Sequence, residues 1–360
     1  MKSNSNAKSS RNNSLDILRL VCMAMVVSVH YFGIGGVRQA ENITSFNYLI
    51  ASIASVFCRP AVNCFYLISG FFIVYNEEEL SLNKWLAKVK PIWVRTFVCS
   101  VLLYIFLVIV KIAPFDWKIC VQSFFPVMFK QYWYVTVFVL LLLVRPFWGR
   151  MLVKLSNKEL GMLISGMLLF DSVQAIFGFN AFEERGYGFL HAITMLTLGY
   201  CISRMKKLCL NSVSSIIIYV MVSCIAGGVA IIQNRMFPNQ MEATILLYNS
   251  PLIIISSVAM FDFFINMDIR CTFISRIAPH VFTIYLINDH PMVRRYFYNN
   301  VLHCDTMAGS KFMIVHWIVC TIGFMVSGIV IDYIGNKIIR TIGKYWRGGD
   351  RICKKKRFLL

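Results

Sequence analysis

The chain has 360 residues, of which 58% are hydrophobic and 15% charged, with a mean hydropathy of +0.65. Soluble domains average about 45–50% apolar and about 25% charged. An ordinary water-soluble globule is therefore excluded, as are a disordered chain, a collagen-like fibre and a small disulfide scaffold. Lys and Arg number 36 against 17 Asp and Glu, a net charge of +19. The cations fall in short clusters between apolar runs, which points to membrane lipids as partners and away from nucleic acid. The twelve cysteines lie mostly inside apolar runs, with no CxxC pair and no Cys/His metal spacing. They read as small apolar residues, and no metal is expected.

A helix needs about 20 mostly apolar residues to cross a bilayer. In chain order such runs cover 14–33, 49–75, 92–112, 132–149, 159–178, 187–203, 213–233, 243–264, 275–291 and 312–333. The expected fold is all-α, a polytopic membrane bundle of about ten transmembrane helices. A polar leader at 1–13 precedes a membrane domain at 14–335 and a basic tail at 336–360. The first run is too long for a signal h-region and no small-x-small cleavage site follows it, so it reads as an uncleaved anchor. With the N-terminus inside, 26 of the 36 Lys and Arg fall on the inner side, as the positive-inside rule requires. An even number of spans then places the C-terminus in the cytoplasm too. No soluble domain fits between the spans, so any site must be built from helices and short loops.

Ionisable residues inside spans are costly and mark functional candidates. The first span carries Arg19 and His30. Eleven residues at 100° each come to about 20° past three full turns, so both side chains share a helix face, roughly 16 Å apart along the axis. That helix offers a fixed cation to an inner ligand and a titratable base at the outer side. Alternatively, each side chain snorkels to its nearer headgroup layer. The second span carries Arg59, Pro60 and Asn63, then Ser69 and Gly70, small residues that suit close helix packing. Tyr132 and Trp133 open the fourth span, as an interfacial aromatic belt or as a sugar-binding surface. At the outer end of the ninth span, Asn288, Asp289, His290, Pro291, Arg294 and Arg295 crowd together. Arg19, Lys84, Lys88, Lys90 and Arg95 make the inner end cationic enough to hold a phosphorylated ligand.

The Arg19–His30 pair matches the Arg-x10-His motif of the type 3 acyltransferase family of membrane proteins. Leu15-Asp16-Ile-Leu-Arg19 resembles the opening of that family, Phe65-Tyr-Leu-Ile-Ser69-Gly70-Phe71 its Phe-x-x-Ser-Gly-(Phe/Tyr) segment, and Trp133-Tyr134 its Trp-(Tyr/Phe) segment. Tyr285-Leu-Ile is similar to its Tyr-Leu-Ile-His segment, although Asn288 stands where many members have His. His290, two positions and about 200° further on, is no simple replacement.

The resemblance implies transfer of an acyl group, usually acetyl, from cytoplasmic acetyl-CoA as co-substrate to a sugar hydroxyl. The acceptor would be a cell-surface polysaccharide or its lipid-linked precursor, modified outside a bacterial plasma membrane. By carry-over, His30 is the base or acyl carrier and Arg19 the acyl-CoA contact, with Lys88 and Arg95 beside it at the inner face. Arg59, Asn63, Tyr132, Trp133, Asn288, His290 and Arg294 are the expected acceptor-side contacts, with Arg59 or Asn63 stabilising an oxyanion. The alternative reading of the same polar bundle is a transporter or flippase of a lipid-linked sugar.

Overall fold

The structure is a computed structural model that describes residues 13–73, 82–177, 185–205, 211–237, 243–269 and 271–356, with backbone only at 82–85, 174, 205 and 338–356. Most of the polar leader, Lys206, Lys207, Arg270 and the last four residues lie outside it, as do the side chains of Lys84 and of most of the basic tail.

The described residues are helical throughout, with no strand. In chain order the helices are α1 (Asn13–Gly33), α2 (Ser45–Cys58), α3 (Pro60–Phe71), α4 (Leu82–Ile109), α5 (Trp117–Phe124), α6 (Trp133–Lys154) and α7 (Asn157–Phe177). They continue as α8 (Phe189–Met205), α9 (Ser212–Met236), α10 (Pro251–Ile265), α11 (Thr272–Ile277), α12 (Val281–Asn288), α13 (Pro291–Tyr296) and α14 (Met313–Lys356). Local chemistry sets their limits. Thr44 caps α2 by accepting from Asn47 N at 3.1 Å, and Asn211 caps α9 through Ser214 N at 2.7 Å. Pro60 and Pro251 occupy first-turn positions, where the missing N–H has no helical partner to lose. Past Gly33 the chain turns through Gly36, whose φ of 73° suits glycine.

Eight stretches among the described residues are long and apolar enough to cross a membrane, one of them α2 and α3 read together across Pro60. Of the ten expected runs, eight appear as full-length spans among the described residues, and the other two are helical in other forms. The run 187–203 becomes α8, of which 17 residues are described. The run 275–291 is broken around Pro279 into α11, a 3-10 turn at Ala278–His280 and α12, because proline cannot donate the helical hydrogen bond and crowds the preceding turn.

The bundle has a centre and a rim. The main core joins Leu18 and Cys22 of α1, Tyr66 and Leu67 of α3, Leu196 of α8, and Phe261 of α10. Of the spans, the α10 stretch is 67% buried and that of α14 only 11%. Leu102, Ile109, Leu169, Ile217, Val319 and Ile322 are exposed on α4, α7, α9 and α14, the apolar surface a bilayer would cover. The closest contact is between α3 and α8. A Cβ at Gly70 would lie 1.8 Å from Leu196 O, and one at Gly199 2.3 Å from Leu67 O. The small residues at these crossings let two backbones touch.

Candidate active site

One stripe of α1 forms a wall of a cavity of about 1200 Å³. Arg19, Met23, Val26 and His30 line it in succession, the 3- and 4-residue steps of one helix face. Opposite stands α6, which contributes Trp133, Tyr134, Phe138, Leu142 and Arg145. Twelve residues separate Trp133 from Arg145, roughly 18 Å of helix. The cavity therefore runs along the bundle between an Arg19 end and a His30 end. Exposed residues line both: Phe72 at the first, and Gln39, Arg185 and Arg295 at the second.

At the Arg19 end, Arg19 Nη1 meets Asp16 Oδ1 at 2.6 Å. This is an i, i+3 pair in which the carboxylate is buried and the guanidinium partly exposed. The pair orients Arg19 while leaving part of its donor fork on the cavity. Arg145 also lines this end, its Nη2 donating to Phe72 O at 2.8 Å. Lys88 lies on the exposed face of α4 and is not among the lining residues. Nor is Arg95, which reaches Asn336 Oδ1 at 3.5 Å and stands 4.0 Å from Asp332.

At the other end His30 is held from two sides. Its Nδ1 is 3.0 Å from Asn288 Nδ2, and its Nε2 is 3.9 Å from Asp289 Oδ1. The Tyr298 hydroxyl lies 2.6 Å from Asn288 Oδ1 and 3.3 Å from Val27 O, and the Tyr298 ring meets the imidazole edge-on. Asp289 accepts from Arg294 at 3.0 Å and from Tyr285 at 2.7 Å. Two ring tautomers satisfy this network. With Tyr298 donating to Asn288 Oδ1, the Asn288 amide donates to Nδ1 and the ring proton sits on Nε2, toward Asp289. With the amide turned over, Nδ1–H donates to Asn288 Oδ1, Asn288 donates to Tyr298, and Tyr298 donates to Val27 O. Nε2 is then a bare base, with a carboxylate beside it to stabilise the imidazolium.

Apart from Lys88 and Arg95, the sequence candidates divide into three groups. Arg19, His30, Arg59, Trp133 and Arg294 line the one cavity, and Asn288 touches His30 from behind. Tyr132, His290 and Asn63 are turned elsewhere. Tyr132 is buried against Tyr285 and His290, and His290, on extended backbone past the end of α12, faces Gln131 at 3.4 Å. Asn63 is fully buried, donating to Tyr248 O at 3.0 Å and facing His191 Nε2 at 2.9 Å. His191 Nδ1 in turn meets Asp171 at 2.8 Å. His191 is thus held from both ring nitrogens, a buried tie between α3, α7 and α8. Sequence reading missed Arg38, Arg145, Arg185, Tyr187 and Tyr248 in the lining, and Tyr298 behind His30. Arg38, Arg185 and Tyr187 lie in connections between helices, where apolar periodicity carries no signal.

A family model described as an acyltransferase domain matches residues 12–339. The chain belongs to the type 3 acyltransferase family. No curated protein and no solved structure matches the chain. This acyltransferase is a multi-pass, all-helical membrane protein. Arg19 and His30, the pair that resembles the family motif, mark the two ends of the cavity.

Proposed function

We propose that this acyltransferase moves an acyl group, acetyl by family default, from cytoplasmic acyl-CoA to a hydroxyl of a cell-surface polysaccharide or its lipid-linked precursor. The observation that carries this reading is the single cavity that joins Arg19 to His30. With the N-terminus inside, the Arg19 end opens to the cytoplasm and the His30 end to the outer face of the plasma membrane. The nucleotide of CoA stays at the inner mouth beside Arg19 and Arg145. The pantetheine arm, roughly as long as the Arg19–His30 separation, threads past Met23 and Val26 and presents the thioester to the imidazole.

The chemistry follows from His30 in its Nε2-base form. Nε2 takes the proton of the acceptor hydroxyl as its oxygen attacks the thioester carbonyl carbon. The tetrahedral oxyanion forms near Arg59, whose charge stabilises it. Collapse breaks the C–S bond, and the imidazolium returns the proton to the departing CoA thiolate. Asn288 and Tyr298 act as positioning residues that hold the ring in the tautomer with Nδ1–H. The two substrates need never share one side of the membrane.

The test is release of free CoA by purified protein in nanodiscs with acetyl-CoA and glycan acceptors. Wild type is expected to release CoA and His30→Ala to lose at least ~10³-fold in rate while inserting normally, the scale of a removed general base. Arg19→Ala is expected to raise the KM for acetyl-CoA about tenfold with a smaller change in kcat, the pattern of lost ground-state binding. Full activity in His30→Ala would overturn the scheme. No release by folded wild type with any acceptor would favour the flippase reading.

A further inference from the structure

The His30 end of the cavity is built for an anion. Five arginines line it, Arg38, Arg59, Arg185, Arg294 and Arg295, and Asp289 is the one carboxylate among the described lining residues. That carboxylate is already engaged by Arg294 and Tyr285. Arg59 is 4% exposed, its guanidinium 5.7 Å over the Tyr248 ring. Arg38 is close enough to Arg59 for the two charges to repel. Guanidinium groups gathered at a half-buried mouth create a positive field that draws an anionic ligand to it.

The choice of residue is as telling as the charge. In the proposed topology the outer side carries Lys111, Lys118, Lys130 and Lys311 and the arginines Arg38, Arg59, Arg185, Arg235, Arg294 and Arg295. All but one of those arginines face the cavity, and none of the lysines does. Lipid headgroups are served by either residue. A planar carboxylate or a phosphate bound in fixed geometry favours the guanidinium fork. Beside the arginines stands an aromatic wall: Trp133, Tyr187 and Tyr248 pack against one another with ring centroids 4.5–5.9 Å apart. Flat rings of this kind cover the apolar face of a pyranose.

We infer that the acceptor is an anionic glycan, whose carboxylate or phosphate sits among these arginines while a sugar ring lies on the aromatic wall. This deepens the proposed function and rests on its assignment of the His30 end to the acceptor.

Binding and turnover separate the two readings. His30→Ala protein in phosphatidylcholine nanodiscs is titrated with three probes: chitotetraose, a hyaluronan tetrasaccharide bearing carboxylates, and a lipid-linked disaccharide diphosphate. At low salt at least one anionic probe is expected to bind about tenfold or more tighter than the neutral one. That preference should collapse in 0.5 M salt and in R185Q/R295Q, whose two sites are exposed and tolerate replacement, and return in part in R185K/R295K. Which anionic probe wins tells a uronate from a phosphate. Equal binding of neutral and anionic probes, or a preference unchanged in R185Q/R295Q, would overturn the inference. So would loss of the preference when phosphatidylglycerol replaces phosphatidylcholine, which would assign the arginines to lipid headgroups. Wild-type CoA release is measured in parallel. Release with an unchanged KM for neutral and anionic probes would leave acyl transfer standing and the anionic acceptor overturned. An anionic preference without CoA release would do the reverse.

Discussion

At the scale of single residues, the base role proposed for His30 depends on partners that fix which nitrogen carries the proton. Asn288 is suited to this because its amide offers both a donor and an acceptor within one side chain. Tyr298 ties the other end of that amide to the α1 backbone at Val27 O. A histidine at position 288 would titrate in its own right, whereas Asn288 can only orient. Asn288→Ala is therefore expected to lower kcat about 10²-fold with little change in the KM for acetyl-CoA. Tyr298→Phe should lower it by a factor of about five, the weight of one neutral hydrogen bond of roughly 1 kcal/mol. A role confined to packing predicts loss of thermal stability with kcat kept, so kinetics and melting curves measured together decide between the two.

At the scale of helices, the site depends on how closely α3 and α8 approach. Gly70 and Gly199 sit at reciprocal points of that crossing, each against a carbonyl of the other helix. Carbonyl groups of a packed helix backbone cannot swing aside as a flexible side chain can. Gly70→Ala and Gly199→Ala are each expected to cost about 1–3 kcal/mol, the usual range for overpacking, read as a lowered melting temperature in detergent. Gly228→Ala is the control, because a Cβ there meets nothing within 4 Å and should leave the melt unchanged or slightly raised. His191 of α8 also meets Asn63 of α3 across this crossing and Asp171 of α7 beside it, so α8 is anchored both by apolar packing and by buried hydrogen bonds.

At the scale of the whole molecule, the proposed function uses the cavity to keep donor and acceptor on opposite sides. Its middle is apolar, formed by Met23 and Val26 of α1 and by Phe138 and Leu142 of α6. An apolar neck passes a pantetheine arm while resisting water and ions. Val26→Trp, between the two motif residues, is expected to abolish transfer by filling that neck while leaving Arg19 and His30 unchanged. The measurement is CoA release alongside binding of a desulfo-CoA analogue at the inner mouth. Loss of turnover with binding retained supports passage of the thioester through the neck, and unaltered turnover would refute it.

The sequence by itself determined the elements. Apolar run length specified a polytopic helical bundle, and the spacing of Arg19 and His30 put both on one face of α1, because each is a local property read along one helix. Its limits appear where continuity breaks: the run at 275–291 looks like one span, yet Pro279 divides it. Only the tertiary structure decided which polar residues meet. Asn288 reaches His30 across 258 positions, whereas Asn63, on paper an equal candidate, is committed to His191 and the backbone. The arginines at the His30 end come from two connections, the start of α3 and the short helix α13, and no periodic pattern links them. Partners across helices are chosen by the packing of the whole bundle, in which a close approach such as Gly70 on Leu196 sets the rotation of each helix and so which of its faces lines the cavity.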